Sequence, residues 1–436
     1  MSAPPHSLSP GASTAAAAKA SRPRVVILGG GFAGLETAKR LADAPVDVTL
    51  IDRQNHHCFQ PLLYQVAAAA LTPADVAWPI RGILGRQRNT TVLMAEVLGV
   101  DADRRKVETS GGAFHYDLLV VATGATHAYF GHDEWAEHAP GLKRIEDATA
   151  LRRAILMAFE KAELSHDPVQ RRVEMTFVVI GGGPTGVEMA GAIADMARLA
   201  LPPDFRNIDP TEARVVLVEA GPRVLSTFPE TLSAYAARRL ERMGVEIRVD
   251  SPVTGIDATG VTIGDERLPS GCTIWAAGVR ASPAGAWLKA PTDRAGRVIV
   301  GDDLTLASHP EVFVIGDTAA AQDPQGRPVP GLAPAAKQMG RFVAETIASR
   351  SRGDDRPRRF AYRHQGDLAT IGRKSAIVTR GSVTLTGFAG WAFWSVVHVY
   401  FMIGLRNRIG VAFSWAWDYA TFGRRARLIT SPAETR

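Results

Sequence analysis

Cysteine is nearly absent from this chain, since its 436 residues include only Cys58 and Cys272. Two cysteines cannot build a disulfide framework or a thiolate-rich zinc or iron–sulfur site. Such scarcity is typical of a protein in a reducing compartment. Hydrophobic residues make up 46% of the chain and charged residues 22%, so it can bury the cores of two or three domains.

The first 23 residues lack the apolar core of a secretory signal. They are rich in proline, serine and alanine, with two basic residues and no acidic one. This charge balance leaves a transit peptide open, but Pro4, Pro5 and Pro10 disfavour the amphipathic helix that such a peptide forms. We therefore predict a disordered tail over 1–23.

Acidic residues are scarce at the other end of the chain. From Ser382 to Arg436 there are six arginines and only two acids, Asp418 and Glu434. This local excess of positive charge lies beside the most aromatic stretch of the sequence. It indicates contact with an anionic membrane surface rather than with nucleic acid.

Residues 24–52 contain a strand, a glycine turn, a helix and a second strand that ends in an acid. The turn carries Gly29, Gly31 and Gly34, and the second strand ends at Asp52. In this unit the first glycine makes a tight turn, the second leaves room for a pyrophosphate, and the third lets helix and strand pack closely. The helix N-terminus attracts phosphate, and Asp52 can accept ribose hydroxyls. The unit predicts a bound dinucleotide.

The same unit recurs with Gly181, Gly183 and Gly186 after a strand and with Glu219 at the end of the next strand. Extra residues before the second strand lengthen the connection. Two units imply two bound dinucleotides. Glu219 would accept the 2′-hydroxyl of NADH and repel the 2′-phosphate of NADPH, although the nearby Arg223 weakens this argument.

Two further strands end in small turns, YDLLVVATGA (116–125) and EVFVIGDTA (311–319). With the two glycine units they make the chain resemble the two-dinucleotide-binding flavoproteins, which have an α/β fold of two Rossmann-like domains similar to glutathione reductase. The resemblance implies FAD on the first unit, NADH on the second, and Asp317 on the ribityl chain. The implied FAD-binding positions are Gly29, Gly31, Phe32, Ala33, Gly34, Asp52, Arg53, Ala122, Thr123, Gly124, Gly316 and Asp317. Those implied for NADH are Gly181, Gly183, Gly186, Glu188, Glu219, Ala277 and Gly278.

The electrons of a reduced flavin need an acceptor. Dithiol members of that superfamily carry a CxxxxC pair, but here Leu63 stands where a partner of Cys58 is expected. We interpret Cys58 and Cys272 as ordinary thiols. The histidines of HDEWAEH (132–138) are six residues apart and cannot share a helical face, so no metal site is predicted. An organic acceptor remains.

Three stretches resemble the type II NADH:quinone oxidoreductases, which are single-chain, non-pumping NADH dehydrogenases. They are LIDRQNHHCFQPLLYQVA (50–67), LAPAAKQMGRFVA (332–344) and HVYFMIGLRNR (398–408). The resemblance extends over nearly the whole chain past the tail. It implies FAD-dependent oxidation of NADH, with hydride passing from the nicotinamide C4 to the flavin N5, and two-electron reduction of a membrane quinone, ubiquinone or menaquinone.

The same resemblance implies the catalytic candidates Glu188, Lys337 and Gln338. Glu188 would lie where nicotinamide meets flavin; the alternative is an exposed glutamate stabilised by the helix dipole. The family pattern AQxAxQ has Pro334 in place of its first glutamine and keeps the second as Gln338. Lys337 either compensates for the lost glutamine or lies on the helix surface. The segment FQPLLYQVA would cover the flavin ring.

The aromatic C-terminal stretch has no formal charge between Arg380 and Arg406, and its more apolar part, 388–405, has 18 residues. A membrane span needs about 20, and basic residues flank the stretch on both sides, which disfavours crossing. Periodicity predicts two amphipathic helices, and we expect them to form a monotopic anchor. A span and a soluble or dimer contact stay open. The apolar faces are Phe393, Val396, Val397, Tyr400 and Phe401 on the first helix and Ile409, Phe413, Ala416 and Trp417 on the second.

These inferences define an expected organisation. An FAD-binding domain in two parts (24–145 and 297–365) surrounds an NADH-binding domain (146–296), and the anchoring region (366–436) follows. We expect the protein at the cytoplasmic face of a bacterial inner membrane; an organelle inner membrane and a homodimer stay open. A sulfide:quinone oxidoreductase and an NADH-binding redox sensor at the membrane are the alternative functions.

Overall fold

The computed structural model describes residues 22–421 and 426–429, and for 405, 406 and 418–421 it describes only the backbone. The predicted disordered tail lies outside the described residues except for its last two positions. Arg424, Arg425 and Arg436 of the basic C-terminal excess lie outside them as well.

Strands and helices alternate along most of the described chain. The strands are β1 (Arg24–Leu28), β2 (Asp47–Asp52), β3 (His56–Cys58), β4 (Ala77–Pro79), β5 (Thr90–Met94), β6 (Val97–Asp101), β7 (Lys106–Thr109), β8 (Gly112–His115), β9 (Leu118–Val121), β10 (Ala125–His127), β11 (Thr176–Ile180), β12 (Arg214–Val218), β13 (Val245–Arg248), β14 (Val253–Asp257), β15 (Gly260–Ile263), β16 (Glu266–Pro269), β17 (Cys272–Trp275), β18 (Val279–Ala281), β19 (Val298–Ile299), β20 (Val312–Val314), β21 (Ala319–Ala320), β22 (Asp367–Thr370), β23 (Ala376–Arg380) and β24 (Val383–Thr386). The α-helices are α1 (Phe32–Arg40), α2 (Leu63–Ala67), α3 (Pro73–Val76), α4 (Ile80–Leu84), α5 (Ile145–Leu164), α6 (Pro168–Glu174), α7 (Pro184–Asp195), α8 (Glu230–Arg242), α9 (Ala284–Trp287), α10 (Ala333–Arg350), α11 (Gly387–Phe401) and α12 (Leu405–Thr421).

The first large sheet has the strand order β20-β9-β1-β2-β5, and all its pairs are parallel. Residues 25–28 of β1 are buried, as expected for a parallel strand covered on both faces. The chain leaves this sheet after β9 and returns to it only at β20. Because parallel strands end at the same edge, the first glycine turn and the turns after β9 and β20 meet there.

The second large sheet is inserted between those strands and has the order β13-β12-β11-β17, again all parallel. All five residues of β11 are buried. The predicted insertion before β12 contains a π-helical turn, Met196–Ala200, and a 3₁₀ turn, Pro210–Glu212. The α/β fold with two Rossmann-like units is therefore confirmed.

Helices α1 and α10 pack against each other beside the first sheet. Their contact is close because Gly340 faces the Ala33 carbonyl, where a Cβ atom would collide. The Thr37 hydroxyl donates to the Ala33 oxygen at 2.9 Å and lies 3.2 Å from the Gly340 oxygen. This contact fixes the start of α10, which carries Lys337, beside the first glycine turn.

The antiparallel strands β22–β24 precede α11 and α12 at the C-terminal end of the described chain. Among the described residues no helix combines the length and the apolar character that a membrane crossing requires. The predicted apolar faces are largely exposed, for example Val396 at 69% and Phe413 at 63%.

The sequence predicted that the opposite side of each helix would be polar, and the structure differs from this prediction. On α11 the opposite side is buried against protein at Trp394 and His398, and on α12 it is buried at Val411 and Trp415. Each helix is therefore largely apolar on its protein side as well. The polar group on that side of α11, His398, is buried in the contact with the protein. Of the predicted polar positions on α12, the side chains of Asp418 and Thr421 lie outside the described set.

Candidate functional site

In the first glycine turn there is no room for a side chain at Gly29 or Gly34, but there is open space at Gly31. A Cβ atom added at Gly29 would collide with the Ala122 carbonyl, and one at Gly34 would collide with the Gly29 carbonyl, whereas nothing lies within 4 Å of such an atom at Gly31. Gly29 also has a φ of +100°, which L side chains rarely adopt. The open glycine lies at the N-terminus of α1, where a pyrophosphate binds best.

The second glycine turn repeats this design. A Cβ atom at Gly181 would lie 2.6 Å from the backbone of Ala276 and Ala277, and one at Gly186 would collide with the Gly181 carbonyl. At Gly183 nothing lies within 4 Å. The two turns therefore offer the same open space at the N-termini of α1 and α7.

Asp52 ends β2 against the first glycine turn. Its carboxylate accepts the N–H groups of Gly30 at 2.5 Å and Gln54 at 2.7 Å. Burial raises the pKa of Asp52, and the two backbone bonds oppose this shift. The neighbouring Arg53 is exposed. The remaining lone pairs of the Asp52 carboxylate are available for ribose hydroxyls.

Glu219 occupies the same position in the second unit. Its carboxylate accepts the N–H groups of Gly182 at 2.5 Å and Gly221 at 2.7 Å. The guanidinium of Arg223 donates to backbone carbonyls in the loop 226–228 at 2.7 and 2.9 Å. Arg223 therefore holds this loop through the two terminal nitrogens of its guanidinium.

The turns that follow β9 and β20 are tied together at the edge of the first sheet. The Gly124 N–H donates to the Thr318 hydroxyl at 2.7 Å. Gly316 has a φ of +69°, and the next residue, Asp317, has the Lys143 ammonium 3.9 Å from its carboxylate. The predicted flavin positions in these two turns are thus brought to one edge by contacts between distant segments.

Ala277 and Gly278 lie where β17 ends beside the second glycine turn. A Cβ atom at Gly278 would lie 2.5 Å from the Phe130 ring. Thr123, in the turn after β9, places its hydroxyl 2.5 Å from that of Ser282. These contacts, with the antiparallel pairing of β10 and β18, join the candidate flavin edge to the candidate NADH edge.

Glu188 lies on α7 beside β22. It is partly buried, and its carboxylate accepts the Thr370 N–H at 3.3 Å. Burial raises the pKa of Glu188 to about 8, and the Thr370 bonds oppose the shift. Glu188 is therefore not the exposed glutamate, stabilised only by the helix dipole, that the sequence left as an alternative.

Lys337 and Gln338 are neighbours on α10 with different surroundings. The Gln338 amide makes two bonds of 2.9 Å to the backbone N–H and C=O of Arg363. The Lys337 ammonium lies 4.8 Å from the centre of the Phe401 ring. Burial lowers the pKa of Lys337, and Glu36 partly opposes this shift. Gln338 thus holds the segment after α10, whereas Lys337 faces a cleft.

The cleft has a volume of about 300 Å³ and lies between α1, α10 and the connection from α11 to α12. Its walls combine aromatic rings with charged side chains, including Phe32, Glu36, Lys337, Tyr400 and Arg408. The aromatic and cationic lining suits a flat, weakly polar ligand that carries hydrogen-bond acceptors.

One buried histidine, His57, lines the cleft, and a second, His398, lies on α11. His57 places Nδ1 2.9 Å from the Gly30 oxygen, and His398 places Nδ1 2.8 Å from the Trp394 oxygen. Burial lowers the pKa of each histidine to about 4. Phe59 of the FQPLLYQVA segment packs edge-on against His398, with ring centroids 6.0 Å apart. This segment therefore connects the start of the first unit to α11.

Neither cysteine is poised for thiolate chemistry. Burial raises the pKa of the Cys58 thiol and that of the Cys272 thiol to about 12. Cys58 belongs to β3 and Cys272 to β17, in different sheets, and both are free. Among the described residues no cluster of three or more His, Cys, Asp or Glu side chains could hold a metal ion.

Several contacts at the site were not predicted from the sequence. Thr370 lies 182 residues from Glu188, Thr318 lies 194 residues from Gly124, and Tyr64 lies 306 residues from Thr370. Thr318 follows the predicted Gly316–Asp317 turn, so its position at the strand end was a usable signal. Tyr64 lies in the FQPLLYQVA segment, which was predicted to cover the flavin ring without a specific role for Tyr64, and Thr370 lies in an unremarkable local pattern.

Comparison with known proteins agrees with this arrangement. The family model described as pyridine nucleotide-disulphide oxidoreductase matches residues 23–340. The type II NADH:quinone oxidoreductase NdhA of Mycobacterium tuberculosis is 44% identical over 427 residues, which cover 94% of this chain and 90% of that protein.

Two solved structures show the same fold. NDH2 of Plasmodium falciparum in complex with NADH has a TM-score of 0.85 at 19% identity, covering 94% of this chain and 100% of that one. The sulfide:quinone oxidoreductase of Aquifex aeolicus has a TM-score of 0.71 at 20% identity, covering 94% and 96%. Since both are below 25% identity, they establish the fold alone. Taken with the sequence relatives, these findings show that the chain belongs to the type II NADH:quinone oxidoreductases, flavoenzymes that oxidise NADH and reduce a quinone.

Proposed function

We propose that the flavin is FAD and that it binds the first glycine turn. The open space at Gly31, the helix N-terminus behind it and the free lone pairs of Asp52 fit the pyrophosphate and the adenosine ribose of FAD. Asp317 fits the ribityl hydroxyls. When bound, FAD accepts a hydride from NADH and passes two electrons to the quinone. The chain's own residues bind, orient and shield the two reactants.

NADH fits the second glycine turn on the same physical grounds. The space at Gly183 receives its pyrophosphate, and Glu219 accepts a 2′-hydroxyl. A 2′-phosphate would lie against the Glu219 carboxylate, while the Arg223 terminal nitrogens donate to the loop 226–228. We therefore assign NADH rather than NADPH as the preferred reductant.

We place Glu188 where the nicotinamide meets the flavin. A carboxyl group with a pKa of about 8 holds a proton in most of the molecules at neutral pH. It can therefore release and take up a proton as charge moves through the site. The Thr370 bonds keep the carboxyl in one orientation while it does so.

The cleft beside Lys337 is the proposed route for the quinone. Its aromatic walls fit a flat ring, and the ammonium of Lys337 can hold or donate a proton at a quinone carbonyl oxygen. Pro334 removes the first glutamine of the family pattern, so this chain relies on Lys337 there. Gln338 positions the segment at Arg363 and supports the cleft from behind.

The exposed apolar side of α11 and α12 is the proposed contact with the bilayer. It includes Val396, Tyr400, Ile409 and Phe413, all more than 60% exposed. The cleft opens beside Tyr400 and Arg408, so a quinone dissolved in lipid would enter it directly. We place the protein on the cytoplasmic face of an inner membrane, where NADH is available. The alternative is that the exposed apolar side of α11 and α12 binds a second copy of the chain.

One observation carries this function: two glycine turns of the same open design end two sheets that the β10–β18 pairing connects, and an aromatic, lysine-lined cleft lies next to the first turn. The test is NADH oxidation by the purified protein, with and without a short-chain quinone, followed by loss of NADH absorbance. We expect yellow protein with flavin absorbance and quinone-dependent turnover. Colourless protein that regains no absorbance with FAD, or turnover that ignores quinone, would overturn the proposal.

A further inference from the structure

A line of hydrogen bonds connects α12 to Glu188. The Trp415 indole N–H donates to Gln65 Oε1 at 2.8 Å, and Gln65 Nε2 donates to the Tyr64 hydroxyl at 3.0 Å. The Tyr64 and Thr370 hydroxyls are 2.8 Å apart, and Thr370 bonds to the Glu188 carboxylate. Trp415 and Gln65 are 350 residues apart, so only the fold brings them together.

The direction of these bonds is fixed at both ends. The indole N–H can only donate, so it must face the oxygen of Gln65, and the Gln65 NH₂ group must then face Tyr64. The Glu188 carboxylate accepts the Thr370 backbone N–H, which can only donate, at 3.3 Å. Tyr64 accepts from Gln65, and its hydroxyl lies against that of Thr370.

Such an ordered line favours the ionised carboxylate. The Thr370 N–H stabilises the ionised carboxylate, and Gln65 and Tyr64 hold Thr370 in the position from which it donates. The line thus opposes the effect of burial on Glu188.

The two ends of the line have different chemistry. Glu188 can take up or release a proton, and the hydroxyls of Tyr64 and Thr370 can each donate or accept a hydrogen bond. The Gln65 amide and the Trp415 indole do not ionise in this range. They orient the hydroxyls and carry no proton.

We propose that Gln65 and Trp415 are positioning residues for NADH oxidation, which act through Tyr64 and Thr370 to set the protonation of Glu188. This inference rests on the proposed role of Glu188. It means that α12, whose other side carries the exposed Phe413 and Trp417, completes the hydrogen bonds of the nicotinamide site.

The surroundings of Glu188 support a role for this line. From β22 it faces Thr370 and, beyond Thr370, Tyr64 of α2. Burial and the Thr370 bonds account for the shift of its pKa, and among the described residues no ionised side chain contributes. Since no ionised side chain contributes, changes in hydrogen bonding are what can raise or lower the pKa of Glu188.

The chain offers a matched control in Trp394. It is buried, and its ring lies 5.4 Å from that of Trp415, but its indole N–H has no hydrogen-bond partner among the described residues. Trp394→Phe and Trp415→Phe therefore remove similar volume from the same contact. Only the second substitution removes a donor from the line.

The test measures the ionisation of Glu188 directly. Infrared difference titration of the purified holoenzyme would follow the protonated-carboxyl band that Glu188→Gln removes, and the pH profile of NADH oxidation would be recorded beside it. We expect Trp415→Phe and Gln65→Leu to move the midpoint of the band and of the profile upward by roughly half a unit, as for loss of one ordinary hydrogen bond. Trp394→Phe should leave both midpoints in place.

The two proposals fail in different ways. If Glu188→Gln keeps the native pH profile, the proposed role of Glu188 is wrong. If that profile changes but Trp415→Phe shifts the band no more than Trp394→Phe does, only the positioning role of Trp415 and Gln65 is overturned. A shift by Trp415→Phe that persists in the profile of the Glu188→Gln background would overturn it as well.

Discussion

The ammonium of Lys337 lies over the ring of Phe401, with Nζ 4.8 Å from the ring centre. This contact joins α10, which packs beside the first glycine turn, to the last residue of α11. A cation over an aromatic face is stabilised most where water is excluded. The pair therefore keeps a partly desolvated positive charge at the wall of the cleft.

Replacing Lys337 with methionine should impair quinone reduction selectively. The side chain keeps its length but loses its proton, so kcat/KM for a short-chain quinone should fall by about a hundredfold, the usual contribution of a positioned acid. The rate of flavin reduction by NADH in a stopped-flow experiment should not change. Arg341→Met on the exposed side of α10 is the control; an equal loss in both variants would argue against a role in the cleft.

Replacing Glu219 with glutamine should weaken the preference for NADH. The change removes the charge that repels a 2′-phosphate and weakens a charge-assisted bond, so KM for NADH should rise by roughly tenfold. KM for NADPH should fall or stay constant. Glu212→Gln, an exposed change nearby, should alter neither value. Unchanged discrimination in Glu219→Gln would show that another group reads the ribose.

The double variant Cys58→Ala, Cys272→Ala should keep full quinone-dependent NADH oxidation. Both thiols have a pKa of about 12 and remain protonated at neutral pH, so neither can act as a nucleophile. The melting temperature should fall slightly because Cys272 is buried. Loss of turnover in a folded double variant would reopen sulfide or dithiol chemistry.

Glu188 should make the folded protein less stable at high pH. Its pKa is raised from 4.5 to about 8 by burial, so the folded state holds the proton more tightly than the unfolded state. The stability linked to this proton is present below pH 4.5 and is lost as the pH rises through about 8. Urea unfolding at several pH values should show Glu188→Gln gaining on the native protein by up to roughly 5 kcal/mol between pH 4 and pH 9, as a pKa raised from 4.5 to about 8 implies. Parallel curves for both proteins would contradict the raised pKa.

Charges placed on the exposed side of α11 and α12 should prevent vesicle binding. Val396→Glu with Phe413→Glu should lower co-sedimentation with anionic vesicles by roughly tenfold per residue, because each loses the burial of an apolar side chain. The matched control is Val169→Glu with Leu164→Glu, since Val169 has the same 69% exposure as Val396. If sedimentation velocity shows a dimer that the first variant dissociates while vesicle binding persists, this side serves a second copy instead.

Much of the fold could be predicted because its signals are local. The glycine turns, their strands and their terminal acids occur within short segments, and the structure places Gly31, Gly183, Asp52 and Glu219 as those segments indicate. The exposed apolar residues of α11 and α12 were also predicted by periodicity. Their buried opposite sides were not, because a helix that is apolar on both sides looks the same in sequence whichever side meets protein.

The sequence by itself determined the chemistry of this protein: two nucleotide cradles, a reductant with a free 2′-hydroxyl, and an aromatic C-terminal region. These follow from residue types at short spacings. Only the tertiary structure decided that Gln338 binds the Arg363 backbone while Lys337 faces the cleft, and that Trp415 is connected to Glu188 through four hydrogen bonds. Contacts such as Trp415–Gln65 and Tyr64–Thr370 join residues that are hundreds of positions apart, and no local pattern specifies which distant side chains packing will bring together.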